Sequence, residues 1–270
     1  MILPDGTEKK IGLALGAGGA RGFCHVGVLK ALEENGIKPD LIAGSSMGAL
    51  VGGCYCAGVP LDLIERESLR ASNRMMTDLD MRLRYKRGLV RGSKLKKYLT
   101  RQIGKGRKIE DLELPYLAVS VDIVTGDLIE ITSGDLVSAI RASAAIPMVF
   151  RPVMDGDKML VDGGVLCRVP VTQTRKMGAD VVIAVDALGE LHRIYGVPRN
   201  FISVLRRAML VMDFEITKLT RDEADIFLVP DMGKRSEFRF RNNGAAIEAG
   251  YNAAMAEIGR IKRIVFSDDK

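Results

Sequence analysis

Short apolar runs alternate with longer segments of helical periodicity along most of the chain. Unbroken apolar runs predict buried strands at 10–15, 41–43, 159–161, 181–185 and 226–229. Apolar positions three and four residues apart, or runs of small residues, predict helices at 20–34, 47–57, 61–71, 93–102, 136–144, 201–220 and 245–262. Two further strands, 117–124 and 127–132, joined through Thr125-Gly126, predict a hairpin.

This alternation of strands and helices predicts a three-layer α/β/α fold around a central, mostly parallel sheet. Hydrophobic residues make up 47% of the 270 residues, which is enough for a sizeable core and excludes a wholly disordered chain. No linker-like stretch divides the sequence. We therefore expect a single domain over 1–270, with its core motifs at 11–186 and the helix–strand–helix at 199–262 in the same unit.

One uncharged segment, 41–61, is about as long as a membrane-spanning helix. It contains five Gly, two Ser and a Pro, a composition that favours a buried strand–turn–helix over a membrane span. The N-terminal residues mix acids and bases without an apolar run, so no secretory signal is expected. With the cysteine pattern, this predicts a cytoplasmic protein or one peripheral to the inner face of the membrane. The four cysteines form no CxxC pair and predict reduced core thiols: Cys24, Cys54, Cys56 and Cys167.

The net charge of +6 is unevenly distributed. Residues 82–108 contain twelve Lys and Arg and no acid, so subtracting them from +6 leaves the rest of the chain at −6. Such a segment is either a solvated charged face or a peripheral contact with an anionic membrane surface. Its only aromatic residues are Tyr85 and Tyr98, and no nucleic-acid-binding motif accompanies them, so no nucleic-acid partner is expected.

A first glycine-rich turn, residues 16–22, follows the first predicted strand. It does not match a dinucleotide fingerprint, because Arg21 stands where the third Gly belongs. It does not match a phosphate-binding loop either, because no Gly-Lys-Ser/Thr follows. A run of backbone N–H groups at a helix start remains, and such groups stabilise an anion, including an oxyanion formed in a transition state.

A second turn, Gly44-Ser45-Ser46-Met47-Gly48, is a G-x-S-x-G sequence between a strand and a helix. Flanking glycines permit a sharp turn that exposes the Ser46 hydroxyl as a nucleophile, although an ordinary tight turn would give the same pattern. The serine needs a base. His25 lies within the first helix and is expected to be packed, whereas His192 stands late enough for a Ser…Asp…His order.

A third turn, Asp162-Gly163-Gly164, follows a short strand and offers a better base than either histidine. A carboxylate at Asp162 can accept the serine proton directly. No cluster of His, Cys and Asp has metal-ligand spacing, so neither a metal nor another cofactor is expected.

Several co-ordered segments carry a family resemblance: GLALGAGGARGFCHVGVLKALEENGI, DLIAGSSMGALVGG, AIRASAAIPMVFRPV, MLVDGGVLCRVPV and MGADVVIAVD. Together they resemble the patatin-like phospholipases, in particular bacterial members related to the neuropathy-target-esterase catalytic domain. The resemblance implies a patatin-like fold, Ser46 as nucleophile and Asp162 as its base. It also implies an oxyanion hole at Gly18, Gly19, Ala20 and Arg21, with motif glycines at Gly16, Gly22, Gly44, Gly48, Gly163 and Gly164.

The sequence departs from the family pattern at two places. Ala17 replaces the first of three usual glycines, and Cys167-Arg168 stands where the family often has Asn before Pro170.

The function that the resemblance implies is cleavage of fatty-acyl esters of phospholipids or lysophospholipids through an acyl-serine. Alternatives are a thioesterase or general carboxylesterase, or a non-catalytic regulatory protein on the same fold. The amphipathic segment 201–214 predicts either a core helix or an acyl-chain wall or lid.

Overall fold

The computed structural model describes residues 9–73, 78, 90–189 and 197–266. Its strands are β1 (Ile11–Leu15), β2 (Leu41–Ser45), β3 (Tyr116–Asp122), β4 (Asp127–Ile131), β5 (Val153–Asp155), β6 (Lys158–Asp162), β7 (Val181–Val185) and β8 (Ile226–Leu228). Its α-helices are α1 (Cys24–Glu34), α2 (Met47–Cys56), α3 (Leu61–Arg70), α4 (Ser93–Ile103), α5 (Leu136–Ser143), α6 (Val171–Lys176), α7 (Phe201–Arg221) and α8 (Gly244–Phe266). These elements follow the predicted alternation closely.

All eight strands belong to one sheet with the order β5-β6-β3-β2-β1-β7-β8, and β4 pairs with β3. The pairs β3–β2, β2–β1, β1–β7 and β7–β8 are parallel. The β3–β4 hairpin and the β5–β6 hairpin are antiparallel. The prediction of a mostly parallel central sheet is therefore confirmed.

Both faces of the sheet are covered, as the alternation of side chains along β1 shows. Ile11, Leu13 and Leu15 belong to the larger core cluster, which also contains side chains of α1, α2 and α8. Ala14 belongs to a second cluster on the opposite face. Gly12 lies against α6 there, because a Cβ on it would come within 2.4 Å of Thr174 Cγ2. These two packed faces make the three layers of the predicted α/β/α fold.

The predicted elements differ from the observed ones in small ways. The helix expected at 20–34 begins as a 3-10 turn, Gly19–Phe23, before α1. β5 and α6 were not predicted, because three residues and six residues are too short to show a period. The segment 41–61 is a buried strand, a turn and a helix as predicted, and the described residues include no helix with the length and hydropathy of a membrane span.

The C-terminal elements pack onto the same core. β8 extends the sheet beside β7, and α8 crosses α1 so closely that a Cβ on Gly27 would lie 1.8 Å from Ile247 O. Gly250 makes the reciprocal approach to Cys24 O, at 2.0 Å. A single domain over 1–270 stays a prediction, with which this packing agrees.

Candidate active site

Ser46 and Asp162 meet because β2 and β6 pair with successive residues of β3, along the edge that β4 leaves open, and run toward each other. β2 runs parallel to β3 and ends with Ser45 opposite Val119. β6 runs antiparallel to β3 and ends with Asp162 opposite Ser120, the next residue along. The Ser46 hydroxyl donates a hydrogen bond of 2.5 Å to Asp162 Oδ2. Ser46 and Asp162 are 116 positions apart in sequence, and they come into contact because their strands end opposite consecutive residues of β3.

The backbone of Ser46 has the strained conformation expected of a nucleophile elbow. Its φ of 53° and ψ of −114° lie where non-glycine residues are rarely found. Its N–H donates to Ser143 Oγ at 2.9 Å, so α5 fixes the turn from the side. Sequence reasoning did not find Ser143, because no motif marks it. The side chain of Ser46 is 4% exposed, and its hydroxyl is directed to Asp162.

The motif glycines are required by close packing around this turn. A Cβ on Gly48 would lie 2.0 Å from Leu15 O, and one on Gly163 would lie 2.4 Å from Val119 O. Five of the six predicted motif glycines would place a Cβ within 2.7 Å of another heavy atom, and Gly164 would place one 3.1 Å from Asp162 Oδ1. The absence of side chains at these six positions lets three turns come close together around Ser46 and Asp162. The six glycines are Gly16, Gly22, Gly44, Gly48, Gly163 and Gly164.

Burial changes the acidity of Asp162, which is only 6% exposed. Removal from water raises the pKa of its carboxyl group to about 6, because it disfavours the charged form. Hydrogen bonds from Ser46 and from the Gly164 N–H, 2.8 Å from Oδ1, oppose this effect. The carboxylate is thus ionised at neutral pH and much more basic than an exposed aspartate, which suits a general base.

The glycine-rich turn after β1 lies beside the pair. Gly19 has a φ of +52°, and a Cβ there would lie 2.3 Å from Glu237 O. Within the described residues, the N–H groups of Gly18 and Gly19 donate to no protein acceptor. The N–H of Ala20 donates to Glu237 O at 2.8 Å, and that of Arg21 donates to Gly18 O at 3.0 Å. Of the four predicted oxyanion-hole residues, only the two glycines therefore have N–H groups available.

Two buried side chains hold this turn in place. His25 is fully buried, and its Nε2 donates to Gly16 O at 2.7 Å. Burial lowers the pKa of His25 to about 4, so the ring is neutral and structural, as expected for a packed histidine. The Arg21 guanidinium donates to Leu188 O at 2.9 Å and to Arg235 O at 2.8 and 2.5 Å. The other histidine, His192, lies outside the described residues.

A largely apolar cavity of about 540 Å³ opens above the pair, within the size range of small-molecule sites. Ser46, Asp162 and the glycine turn form its floor. Residues 146–149 form one side, and α7 forms another through Met209, Leu210 and Met212. The segment 201–214 is therefore a cavity wall and not a plain core helix. Several of its apolar side chains are also exposed to solvent: Phe201, Val204, Leu205, Val211 and Met212.

Arg168, at a position where the sequence departs from the family pattern, connects α7 to the core. It is 2% exposed, and its guanidinium contacts Asp186 Oδ2 at 2.7 Å and Asp213 Oδ2 at 3.4 Å. Asp213 lies on α7 and lines the cavity. Burial raises the pKa of Asp213 to about 7, and the positive charge of Arg168 opposes that rise. Sequence reasoning did not find Asp213, because its partner is distant in sequence.

The remaining sequence features lie away from this site. All four cysteines are free; Cys24, Cys54 and Cys56 are buried, and Cys167 is partly buried. In the described ranges no group of three or more His, Cys, Asp or Glu is placed to hold a metal ion. Four members of the basic segment, Arg82, Arg84, Lys86 and Arg87, lie outside the described residues. On α4, Leu95 and Leu99 are buried, and these charged side chains are exposed: Lys94, Lys96, Lys97 and Arg101.

Comparison with known proteins shows the family to which the chain belongs. The family model for patatin-like phospholipases matches residues 13–175, which include the elbow serine, the aspartate and the glycine turn. The chain belongs to the patatin-like phospholipase family. Its relatives include NTE family proteins, which confirms the predicted resemblance.

Two relatives and one solved structure show the extent of the likeness. An uncharacterised NTE family protein of Mycobacterium bovis is 39% identical over 183 residues, covering 68% of this chain and 50% of that protein. Lysophospholipase NTE1 of Yarrowia lipolytica is 35% identical over 183 residues, covering 67% of this chain and 13% of that protein. The crystal structure of VipD from Legionella pneumophila shares the fold with a TM-score of 0.61 at 13% identity, covering 94% of this chain and 67% of that one. This patatin-like chain thus spans about half the length of the mycobacterial relative.

Proposed function

We propose that this patatin-like chain is a serine acyl hydrolase that cleaves fatty-acyl esters of phospholipids or lysophospholipids through an acyl-serine intermediate. The observation that carries the proposal is the 2.5 Å hydrogen bond from Ser46 Oγ to Asp162 Oδ2, on the floor of a largely apolar cavity. Apolar walls match a fatty-acyl chain, and the family and the Yarrowia lysophospholipase point to the same class of ester.

In the first half of the reaction, Ser46 Oγ attacks the ester carbonyl carbon while its proton passes to Asp162 Oδ2. The carbonyl oxygen becomes an oxyanion, which the N–H groups of Gly18 and Gly19 stabilise. Each such donor is worth about 3–4 kcal/mol of the activation barrier in other acyl hydrolases. The tetrahedral intermediate then collapses, the alcohol leaves with the proton from Asp162, and the acyl group remains on Ser46.

In the second half, water replaces the alcohol. Asp162 accepts a proton from the attacking water, a second oxyanion forms beside the same two N–H groups, and the fatty acid leaves as Ser46 regains its proton. Every proton transfer in this scheme uses a protein group. The raised pKa of Asp162 helps both steps, because a stronger base accepts the proton more readily.

The basic segment belongs to the same proposal. Its described part projects exposed lysines and arginines from α4 while Leu95 and Leu99 anchor that helix to the core. A cationic surface of this kind attracts the anionic head groups of a membrane in which acyl-lipid substrates reside. We therefore propose a peripheral membrane contact through residues 82–108.

Substitution of the pair tests the proposal. Hydrolysis of p-nitrophenyl esters, phospholipids, lysophospholipids and acyl thioesters would be measured for the wild type, Ser46→Ala and Asp162→Asn. We expect a loss of at least about 10³-fold for Ser46→Ala and about 10²–10⁴-fold for Asp162→Asn. The controls Ser133→Ala and Asp155→Asn change exposed residues of the same types and should leave activity unchanged.

The pH dependence gives an independent check. Asp162 must be ionised to accept the proton, so kcat/KM should rise with pH up to about 6 and then level off. Unchanged activity in folded Ser46→Ala or Asp162→Asn protein would refute the assignment of the pair. Preferential cleavage of thioesters would replace the lipid-ester proposal with a thioesterase.

A further inference from the structure

A second cavity, of about 260 Å³, lies on the other side of the glycine turn from the catalytic cavity. Its wall includes Ala20 and Arg21 of that turn and the start of α8. Among its described lining residues five are cationic and none is a carboxylate; the cations are Arg21, Lys234, Arg235, Arg239 and Arg241. Nothing in the proposed reaction uses this cavity.

Four of the five cations belong to the segment 234–241, and these four have no carboxylate partner in the described part of the chain. Within the described residues, no carboxylate oxygen lies within 4.0 Å of Lys234, Arg235, Arg239 or Arg241. Elsewhere on the surface, cations such as Lys30 and Arg175 have carboxylate partners, at 3.0 Å from Glu65 and 2.8 Å from Asp225. Like charges gathered in a concave site repel one another and raise the local concentration of anions.

We propose that this cavity binds a phosphate-bearing anion and that the bound anion stabilises the glycine turn that carries the N–H groups of Gly18 and Gly19. Guanidinium groups match phosphate oxygens in two-point hydrogen bonds, and three arginines of one short segment line the cavity. The cavity volume is about nine times the roughly 30 Å³ that one water molecule occupies, which leaves room for a phosphate group with attached atoms. The N-terminus of the 23-residue helix α8 adds a favourable dipole at Asn243 and Ala246.

The link to the catalytic site is the segment 235–239, which lies between the two cavities. Ser236 and Arg239 line the basic cavity, whereas Glu237 and Phe238 line the catalytic one. The carbonyl of Arg235 accepts two hydrogen bonds from Arg21, and the carbonyl of Glu237 accepts one from the N–H of Ala20. An anion bound to Arg235 and Arg239 would hold this segment in place. The three hydrogen bonds would in turn hold the glycine turn that carries the N–H groups of Gly18 and Gly19.

Pyrophosphate is the probe for the binding half of the proposal. Titration calorimetry would compare the wild type with Arg239→Gln/Arg241→Gln and with the control Lys38→Gln/Lys158→Gln, which removes the same charge from exposed positions elsewhere. We expect wild-type binding that weakens with salt, at least tenfold weaker binding in the arginine variant, and an unchanged control. Equal binding by all three proteins, or none by the wild type, would overturn the site.

Vesicles distinguish the two sources of a phosphate. Phosphatidylcholine vesicles containing phosphatidic acid would be compared with vesicles of equal charge containing phosphatidylglycerol. A preference for phosphatidic acid that is lost in Arg239→Gln/Arg241→Gln assigns the site to a lipid phosphomonoester head group. Pyrophosphate binding without that preference assigns it to a soluble phosphate compound, and failure of both probes overturns the proposal.

The link to catalysis rests on the proposed function, whereas anion binding does not. Pyrophosphate should raise the rate of p-nitrophenyl ester hydrolysis several-fold in the wild type and the lysine control, and not in the arginine variant. Binding without any change of rate in an active protein would overturn the coupling. If the protein hydrolyses no ester at all, the proposed function fails, and the calorimetric result still decides the anion site.

Discussion

The floor and the wall of the catalytic cavity are built in opposite ways. The floor consists of strand ends and backbone turns, where glycines leave no room for one additional methyl group. The α7 wall consists of side chains on a helix that has a solvent-exposed apolar face, with Phe201 80% exposed. Near the floor, the ion pair of Arg168 with Asp213 attaches this helix to the core.

Under the proposed function, this difference assigns the chemistry to the floor and the choice of substrate to the wall. Atoms positioned by the backbone cannot move without displacing β1, β2 or β6, so the sheet fixes the position of Ser46 relative to Asp162. Side chains on one face of α7 can be exchanged without disturbing any strand. We therefore expect changes in the floor to affect folding and rate, and changes in the wall to affect which acyl chain fits.

The largest effect is expected at Gly48. A Cβ there would lie 2.0 Å from Leu15 O, so Gly48→Ala should destabilise the fold by about 3 kcal/mol or more and displace Ser46. Gly259→Ala is the matched control, because Gly259 also lies within a helix and has nothing within 4 Å of its Cβ position. That change should be neutral or stabilising by up to about 1 kcal/mol. Urea unfolding of both variants measures the contrast, and equal stabilities would contradict the packing argument.

The next largest effect is expected from Asp162→Asn, this time on stability. The pKa of Asp162 is raised from 3.8 to about 6 in the folded state, so between these values the folded protein binds a proton that the unfolded chain releases. Wild-type stability should therefore fall as pH rises through this window, by up to about 3 kcal/mol in all, and change no further above it.

The variant lacks this titration, so its stability relative to the wild type should increase between pH 4 and pH 6. Urea unfolding at several pH values measures the difference, and the exposed Asp155→Asn serves as the control. A difference that stays constant across the window would show that the base is not held at a raised pKa. The ionised carboxylate of Asp162 would then destabilise the fold less than its raised pKa implies.

The sequence predicted the floor better than the wall for a physical reason. Glycines are required where backbones touch, so Gly44, Gly48 and Gly163 mark the turns around Ser46 and Asp162 directly. The direction of β6 is not visible in this pattern. The sequence predicted a mostly parallel sheet, and nothing in it indicated that β6 would run antiparallel to β3.

Contacts between distant side chains were beyond the sequence for a different reason. Arg168 appeared only as a departure from the family pattern, and nothing local connects it to Asp186 or Asp213. Likewise, the pairing of the Ala20 N–H with Glu237 O depends on the path of a segment more than 200 residues later. Local patterns therefore indicated Ser46 and Asp162, which the structure brings into contact, and not the carbonyl groups that accept hydrogen bonds from the N–H groups of Ala20 and Arg21.

The smallest effect, and the sharpest contrast with the floor, is expected at Leu210 on α7. Leu210→Trp would fill part of the cavity, whereas Leu219→Trp changes a residue of the same helix that is 79% exposed and outside the cavity. The ratio of kcat/KM for sixteen-carbon to four-carbon p-nitrophenyl esters should fall about tenfold in the first variant and stay constant in the second. If both ratios fall alike, α7 acts through its attachment to the core and not as a wall. If only the first falls while four-carbon turnover is kept, substrate length is set by side chains that the catalytic floor does not need.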